Sequence, residues 1–183
     1  MNSSSGHAES GKTTTLYRGR IIDLNLEEIR LPGGETVELE IVRHPGGAAV
    51  VALDEAGRVC LLKQYRHAAG GWLWELPAGK IDAGEQPDVT ARRELEEEAG
   101  VSARDWVSLG RVISSPGVFT EVIHLYLARG LRTFEHRHEP HEVIAIHWVP
   151  YARALEMAMT GAIIDGKTLV GLCRAQGFLA PRF

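Results

Sequence analysis

The chain has 183 residues, of which 44% are hydrophobic and 24% charged, with a formal net charge of −4. That length suits one well-buried domain with a modest extension, and the acidic balance excludes a general nucleic-acid-binding surface. No run of about 18 apolar residues is present to cross a membrane, and the polar N-terminus lacks the apolar core of a signal peptide. Cys60 and Cys173, each in an apolar run, read as reduced, buried thiols of a cytoplasmic protein.

Residues 1–15 are rich in Ser, Gly and Thr without periodicity and read as a disordered tail. Residues 16–45 change texture. Ile21–Leu26 and Thr36–Val42 alternate with period two, and Leu31-Pro32-Gly33-Gly34-Glu35 supplies a turn between them. This predicts an antiparallel strand meander ahead of a main domain over 46–183. Ala48–Leu53 is continuously apolar, as a strand buried on both faces should be. Strands follow at Val59–Arg66 and Trp72–Leu76. Trp72 and Trp74 alternate with their neighbours, so one is expected to face the core and the other to cover a subunit contact or stack on a base.

From Pro87 the chain has helix grammar. Proline suits the first helical position, Asp88 places negative charge in the first turn, and Gly100 stands where a left-handed cap is wanted. At about 100° per residue, Glu94, Glu97 and Glu98 share one face. Ala91, Leu95 and Ala99 form an adjoining apolar stripe for packing on a sheet, Glu96 points away, and Arg93 is placed to orient Glu97. Three carboxylates on one edge repel, so water or cations must offset them. A solvated acidic face and a site for a hard divalent ion, Mg²⁺ or Mn²⁺, both satisfy that demand.

Beyond the helix, Trp106–Ile113 and Val122–Leu127 read as strands separated by Ser114–Glu121. Residues 132–142 form a polar loop dense in His, Arg and Glu. A strand over Val143–Val149, a helix over Tyr151–Met159 and a last helix through Ala175 complete the chain.

The stretch Gly79–Val101 resembles the Nudix box, G-x5-E-x7-R-E-U-x-E-E-x-G-U with U bulky and apolar. Gly79, Glu85, Arg93, Glu94, Leu95, Glu97, Glu98, Gly100 and Val101 match it without departure. A chance match is expected on the order of once in 10⁷ such sequences from average residue usage, so the pattern decides between the two readings of the acidic face. The resemblance implies an α/β fold: an α/β/α sandwich with a mixed central sheet, preceded here by the N-terminal antiparallel meander. It implies metal-dependent hydrolysis of a nucleoside diphosphate linked to another moiety.

Arg43-His44-Pro45, Gln64-Tyr65-Arg66, Glu75–Gly79, and Ser115-Pro116-Gly117 with Glu121 are similar to the ADP-ribose pyrophosphatase branch of that superfamily. Nucleoside-diphosphate-sugar and GDP-mannose pyrophosphatases share several of these pieces. By this resemblance, Glu94, Glu97, Glu98 and the carbonyl of Ala78 would hold two or three Mg²⁺ or Mn²⁺ ions, and Gly79 would let backbone and phosphate approach closely. Glu85 and Arg93 would support the site. Arg43 and Arg66 would bind phosphates or ribose, against the alternative of surface ion pairs. Glu121 would contact the nucleoside side, against the alternative of a solvent residue at a strand end. The general base would be Glu142 or Glu139, in a loop that departs from the branch by carrying His136, His138, Pro140 and His141. Those histidines could hold a transition metal or simply face solvent. The branch implies a homodimer formed through the N-terminal strands, with Arg43 serving the neighbouring subunit. ADP-ribose, cleaved to AMP and ribose 5-phosphate, is the leading substrate. A GDP-mannose or broad nucleoside-diphosphate-sugar pyrophosphatase is the rival. A non-cleaving sensor of nucleotide sugars is the further alternative, and such domains usually lose box carboxylates that this chain keeps.

Overall fold

A computed structural model describes residues 9–133 and 144–179. The described chain forms two compact units. One holds the described residues up to Pro45 with Ser115–Glu121; the other holds Gly46–Ser114 and the described residues from Val122 onward.

The first unit is an antiparallel sheet of β1 (Glu9–Arg18), β2 (Asp23–Arg30) and β3 (Thr36–Arg43), in that order. The turn falls at Leu31–Glu35, closed by the Gly34 N–H donating to the Leu31 carbonyl at 2.8 Å. Gly34 has φ 90°, which a side chain would resist. The tail expected through Thr15 is corrected here, because β1 begins at Glu9 and pairs along β2. Thr13, Thr14 and Thr15 are β-branched and suit a strand without hydrophobic alternation. Ser115–Glu121 joins this unit through its backbone: the Val42 N–H donates to the Val118 carbonyl at 2.8 Å, and the Thr120 N–H to the Val42 carbonyl at 3.0 Å.

The second unit is layered. One sheet runs β7 (Ala78–Lys80), β4 (Gly47–Ala52), β9 (Val122–Thr133), β8 (Val101–Ile113); the other runs β10 (Ile144–Pro150), β5 (Arg58–Arg66), β6 (Gly71–Glu75). β4 pairs parallel with β9 and antiparallel with β7, so the sheet is mixed. Every residue of β4 is buried, and its two faces serve two cores. Ala48, Val50 and Ala52 cluster with Ala91, Leu95 and Ala99 of α1 (Pro87–Ala99). Ala49 and Val51 cluster with Ala154 and Met157 of α2 (Tyr151–Met159) and Leu172 and Ala175 of α3 (Gly166–Leu179). This is the α/β/α arrangement, and the absence of alternation in Ala48–Leu53 follows from it. Fully burying a residue such as Leu95 contributes about 1.5–3 kcal/mol.

α1 starts at Pro87 and is capped after Ala99 by Gly100, which adopts φ 64° and donates its N–H to the Glu96 carbonyl at 3.1 Å. Trp74 packs on the core, while Trp72 is half exposed and meets Tyr65 edge-on at 5.8 Å. Cys60 is buried as expected, but Cys173 is exposed. Helical period turns Gly171, Leu172 and Ala175 inward and leaves position 173 on the outer face of α3. Among the described residues, no helix is long and apolar enough to cross a membrane.

Candidate active site

The short strand β7 brings three backbone positions against the acidic face of α1. The Ala78 N–H donates to Glu98 Oε2 at 2.7 Å, and Glu98 is only 3% exposed. At the next residue, a methyl group on Gly79 would overlap the Glu94 carboxylate. Glycine is what lets the Glu94 carboxylate lie against the strand, since the backbone itself is not left-handed. Gly79 in turn pairs with Ala48 of β4, so the central strand fixes the height of the strand carrying Ala78 and Gly79.

Arg93 organises the rest. Its Nη1 donates to Glu94 at 2.7 Å and to Glu97 at 3.0 Å, while Nε and Nη2 each reach Glu85 at 3.1 Å. Nη2 also donates to the Lys80 carbonyl at 3.3 Å, tying α1 back to β7. The Thr90 hydroxyl donates to Glu85 at 2.7 Å. With the Arg93 and Thr90 contacts leading, Glu85 is held down to about 2 against an ordinary 4.5. Glu85 first, then Glu94 and Glu97, raise Arg93 above its ordinary value against its partial burial. Glu96 is exposed and apart from this cluster.

Glu94, Glu97 and Glu98 therefore share the α1 face, with Glu94 and Glu98 against β7 and Glu97 the most open of the three. Among the described residues, no three acidic, His or Cys side chains already converge on one point. Glu94 and Glu97 are turned to Arg93 instead. The donors are nonetheless all hard oxygens, carboxylates beside backbone carbonyls, and suit a hard divalent cation rather than a soft one. Cys60 lies behind Glu98. Burial, then the Glu98 charge, pushes its thiol up to about 12, so it stays a protonated core residue.

Arg66 and Arg43 are each gripped by a buried glutamate, a feature that sequence reasoning missed. Arg66 donates to Glu75 at 2.8 and 3.1 Å, and Arg43 to Glu27 at 2.8 and 2.5 Å. Glu75 also pairs with Lys167. Burial alone would raise Glu75, but Arg66 and Lys167 outweigh it and hold the group below its ordinary value. A charged residue inside the apolar alternation Trp72–Leu76 was the available signal, since a buried carboxylate must be paired. In the first unit, Glu121 lies 3.5 Å from His44 Nδ1, and the His44 N–H donates to the Thr120 hydroxyl at 3.0 Å. Glu139 and Glu142, with His136, His138 and His141, lie outside the described residues.

A family model for the NUDIX domain matches residues 43–169. An ADP-ribose pyrophosphatase of Mycobacterium tuberculosis is 39% identical over 181 residues, spanning 95% of this chain and 87% of that protein. An ADP-ribose pyrophosphatase of Bacillus subtilis is 36% identical over 155 residues, 84% of each. A crystal structure of an ADP compounds hydrolase superposes with a TM-score of 0.80 at 19% identity, covering 97% of both chains, and shares the fold. The box residues gathered around Arg93, and a family match that spans most of the sequence, lead to one conclusion: this chain is a hydrolase of the NUDIX family.

Proposed function

We propose that this chain hydrolyses the pyrophosphate of ADP-ribose, releasing AMP and ribose 5-phosphate. The observation that carries the reading is the set Glu94, Glu97 and Glu98 lying on the α1 face beside Ala78 and Gly79. Relatives named for that activity, alike over most of the chain, support the substrate.

Nudix enzymes as a class depend on divalent metal. Here Glu94, Glu97, Glu98 and the Ala78 carbonyl would hold Mg²⁺, or Mn²⁺, as two or three ions. When bound, such ions supply charge neutralisation at the pyrophosphate oxygens and activation of water. The protein's own groups do the remainder. Arg93 and Glu85 keep the carboxylates in place. Arg66 and Arg43 offer planar guanidinium forks to phosphate. Gly79 lets the diphosphate approach the backbone, and Glu121 serves the nucleoside side. Glu142 or Glu139 takes the proton of the attacking water.

We further propose a homodimer formed through the N-terminal strands over 16–45, with the hydrolase domain over 46–183. Two free cysteines fit a reducing, cytoplasmic setting.

The test is product release from ADP-ribose, GDP-mannose, UDP-glucose and NADH, each with Mg²⁺ and with EDTA. Metal-dependent AMP from ADP-ribose, well above the other substrates, is the expected result. Equal rates across the sugars would replace it with a broad nucleotide-sugar pyrophosphatase. Binding without turnover would make the chain a sensor.

A further inference from the structure

Glu75 ends β6 at 2% exposure and stands at the centre of a chain of charges. On one side, Arg66 Nε donates to Oε1 at 2.8 Å and Nη2 to Oε2 at 3.1 Å. On the other, the Lys167 ammonium donates to the same Oε2 and reaches Asp165 Oδ1 at 3.0 Å. Asp165 Oδ2 accepts the Thr168 N–H at 3.0 Å and its hydroxyl at 2.5 Å, which caps α3. The Thr168 hydroxyl oxygen accepts the Leu76 N–H at 2.9 Å. The series Arg66, Glu75, Lys167, Asp165 alternates in sign and is anchored at both Glu75 and Leu76, three and two residues before Ala78.

The two ends of this series differ. Asp165 is folded into the first turn of α3, where the helix dipole offsets its charge. Arg66 is 41% exposed and uses one N–H each from Nε and Nη2 on Glu75. Of its five N–H donors, three have no partner among the described residues. A buried carboxylate paired with Arg66 alone would cancel the guanidinium charge. Lys167 donates to the same oxygen as Nη2, so the Glu75 carboxylate is shared between two cations instead of being spent on Arg66 alone, while the fork is held still.

We infer that Lys167, braced by Asp165, is a positioning residue for Arg66: through Glu75 it fixes the guanidinium and leaves its charge available to a phosphate of the substrate. This rests on the reading of Arg66 as a phosphate ligand given above. A brace that only joins α3 to β6 would change melting temperature and leave substrate affinity untouched.

The experiment uses the full chain with two readouts: steady-state hydrolysis of ADP-ribose in Mg²⁺, and calorimetric binding of ADP-ribose in EDTA. Lys167→Gln keeps a donor and removes the charge. It should raise KM and Kd roughly tenfold, the size of one unit charge felt across a half-screened gap, with kcat within about twofold. Lys167→Arg should restore both. In an Arg66→Ala background, Lys167→Gln should add nothing. Asp165→Asn retains a capping oxygen but loosens Lys167, and should raise KM by a smaller factor; it carries the test if Lys167→Gln does not fold. Wild-type KM and Kd in folded Lys167→Gln, while Arg66→Ala raises both, would overturn the inference. An undiminished Lys167 effect without Arg66 would overturn it as well. Unchanged binding in Arg66→Ala would remove the phosphate role of Arg66 and this inference together. If ADP-ribose binds but is never cleaved, the hydrolase reading fails, and the Kd comparisons still decide the role of Lys167.

Discussion

Glu98 accepts the Ala78 N–H at 2.7 Å from inside the fold, at 3% exposure, so one carboxylate of the acidic face is fixed to the strand that faces it. Glu98→Gln keeps an oxygen able to accept that N–H and removes the negative charge. Its packing changes little, so melting temperature should move only slightly. Turnover should fall by at least about 100-fold, because a charged oxygen ligand becomes a neutral amide. Steady-state kinetics beside a thermal melt decide this. A folded variant within a factor of a few of wild type would remove Glu98 from the metal site.

Gly79→Ala probes the same site from the strand. The new methyl overlaps the Glu94 carboxylate, which must swing away from β7. The Mg²⁺ concentration for half-maximal activity should rise roughly tenfold, the usual scale for a displaced support of a metal ligand. Gly33→Ala is the control, since nothing lies within 4 Å of a methyl there. Equal metal dependence in the two variants would show that Glu94 does not depend on the space at Gly79.

What could be read in the sequence was what local rules govern. Proline at 87, the capping glycine at 100 and the spacing of Glu94, Glu97 and Glu98 all act within one helix, and α1 follows them. The uniform apolarity of β4 announced a strand covered on both faces. The Arg66–Glu75–Lys167 series could not be read the same way, because Lys167 is 92 positions from Glu75 and only the fold joins them. Arg43 stands opposite Asp23 and Glu27 opposite Leu39, so the Arg43–Glu27 pair forms only by a diagonal reach from β3 to β2. Composition misled at two points. Cys173 lies in an apolar run but on the outer face of α3, and the threonines before Leu16 form a strand paired along β2.

Glu85 makes the box sensitive to acid. Its folded value, about 2, lies below the ordinary 4.5, so its ion pair with Arg93 stabilises the fold fully above about 4.5. That contribution is lost as pH falls from there towards about 2. Glu85→Gln should therefore melt below wild type at pH 7, and the gap should close as pH drops below 4.5. Melts across pH 7 to pH 3 measure it. A gap that is constant with pH would mean that the Glu85 charge contributes nothing and only its shape matters.

Arg43 poses the question of whether a guanidinium serves structure or substrate. Glu27 is 5% exposed and spends both oxygens on Arg43. Arg43→Ala leaves that carboxylate buried without its partner and should cost about 1–3 kcal/mol, less than a fully buried pair because Arg43 itself is half exposed. Adding Glu27→Gln removes the stranded charge and should recover most of the stability. If Arg43 also holds a phosphate, KM for ADP-ribose should stay raised in the double variant even though its melt is normal. Recovery of both stability and KM would confine Arg43 to the sheet of β1, β2 and β3, and leave phosphate binding to Arg66.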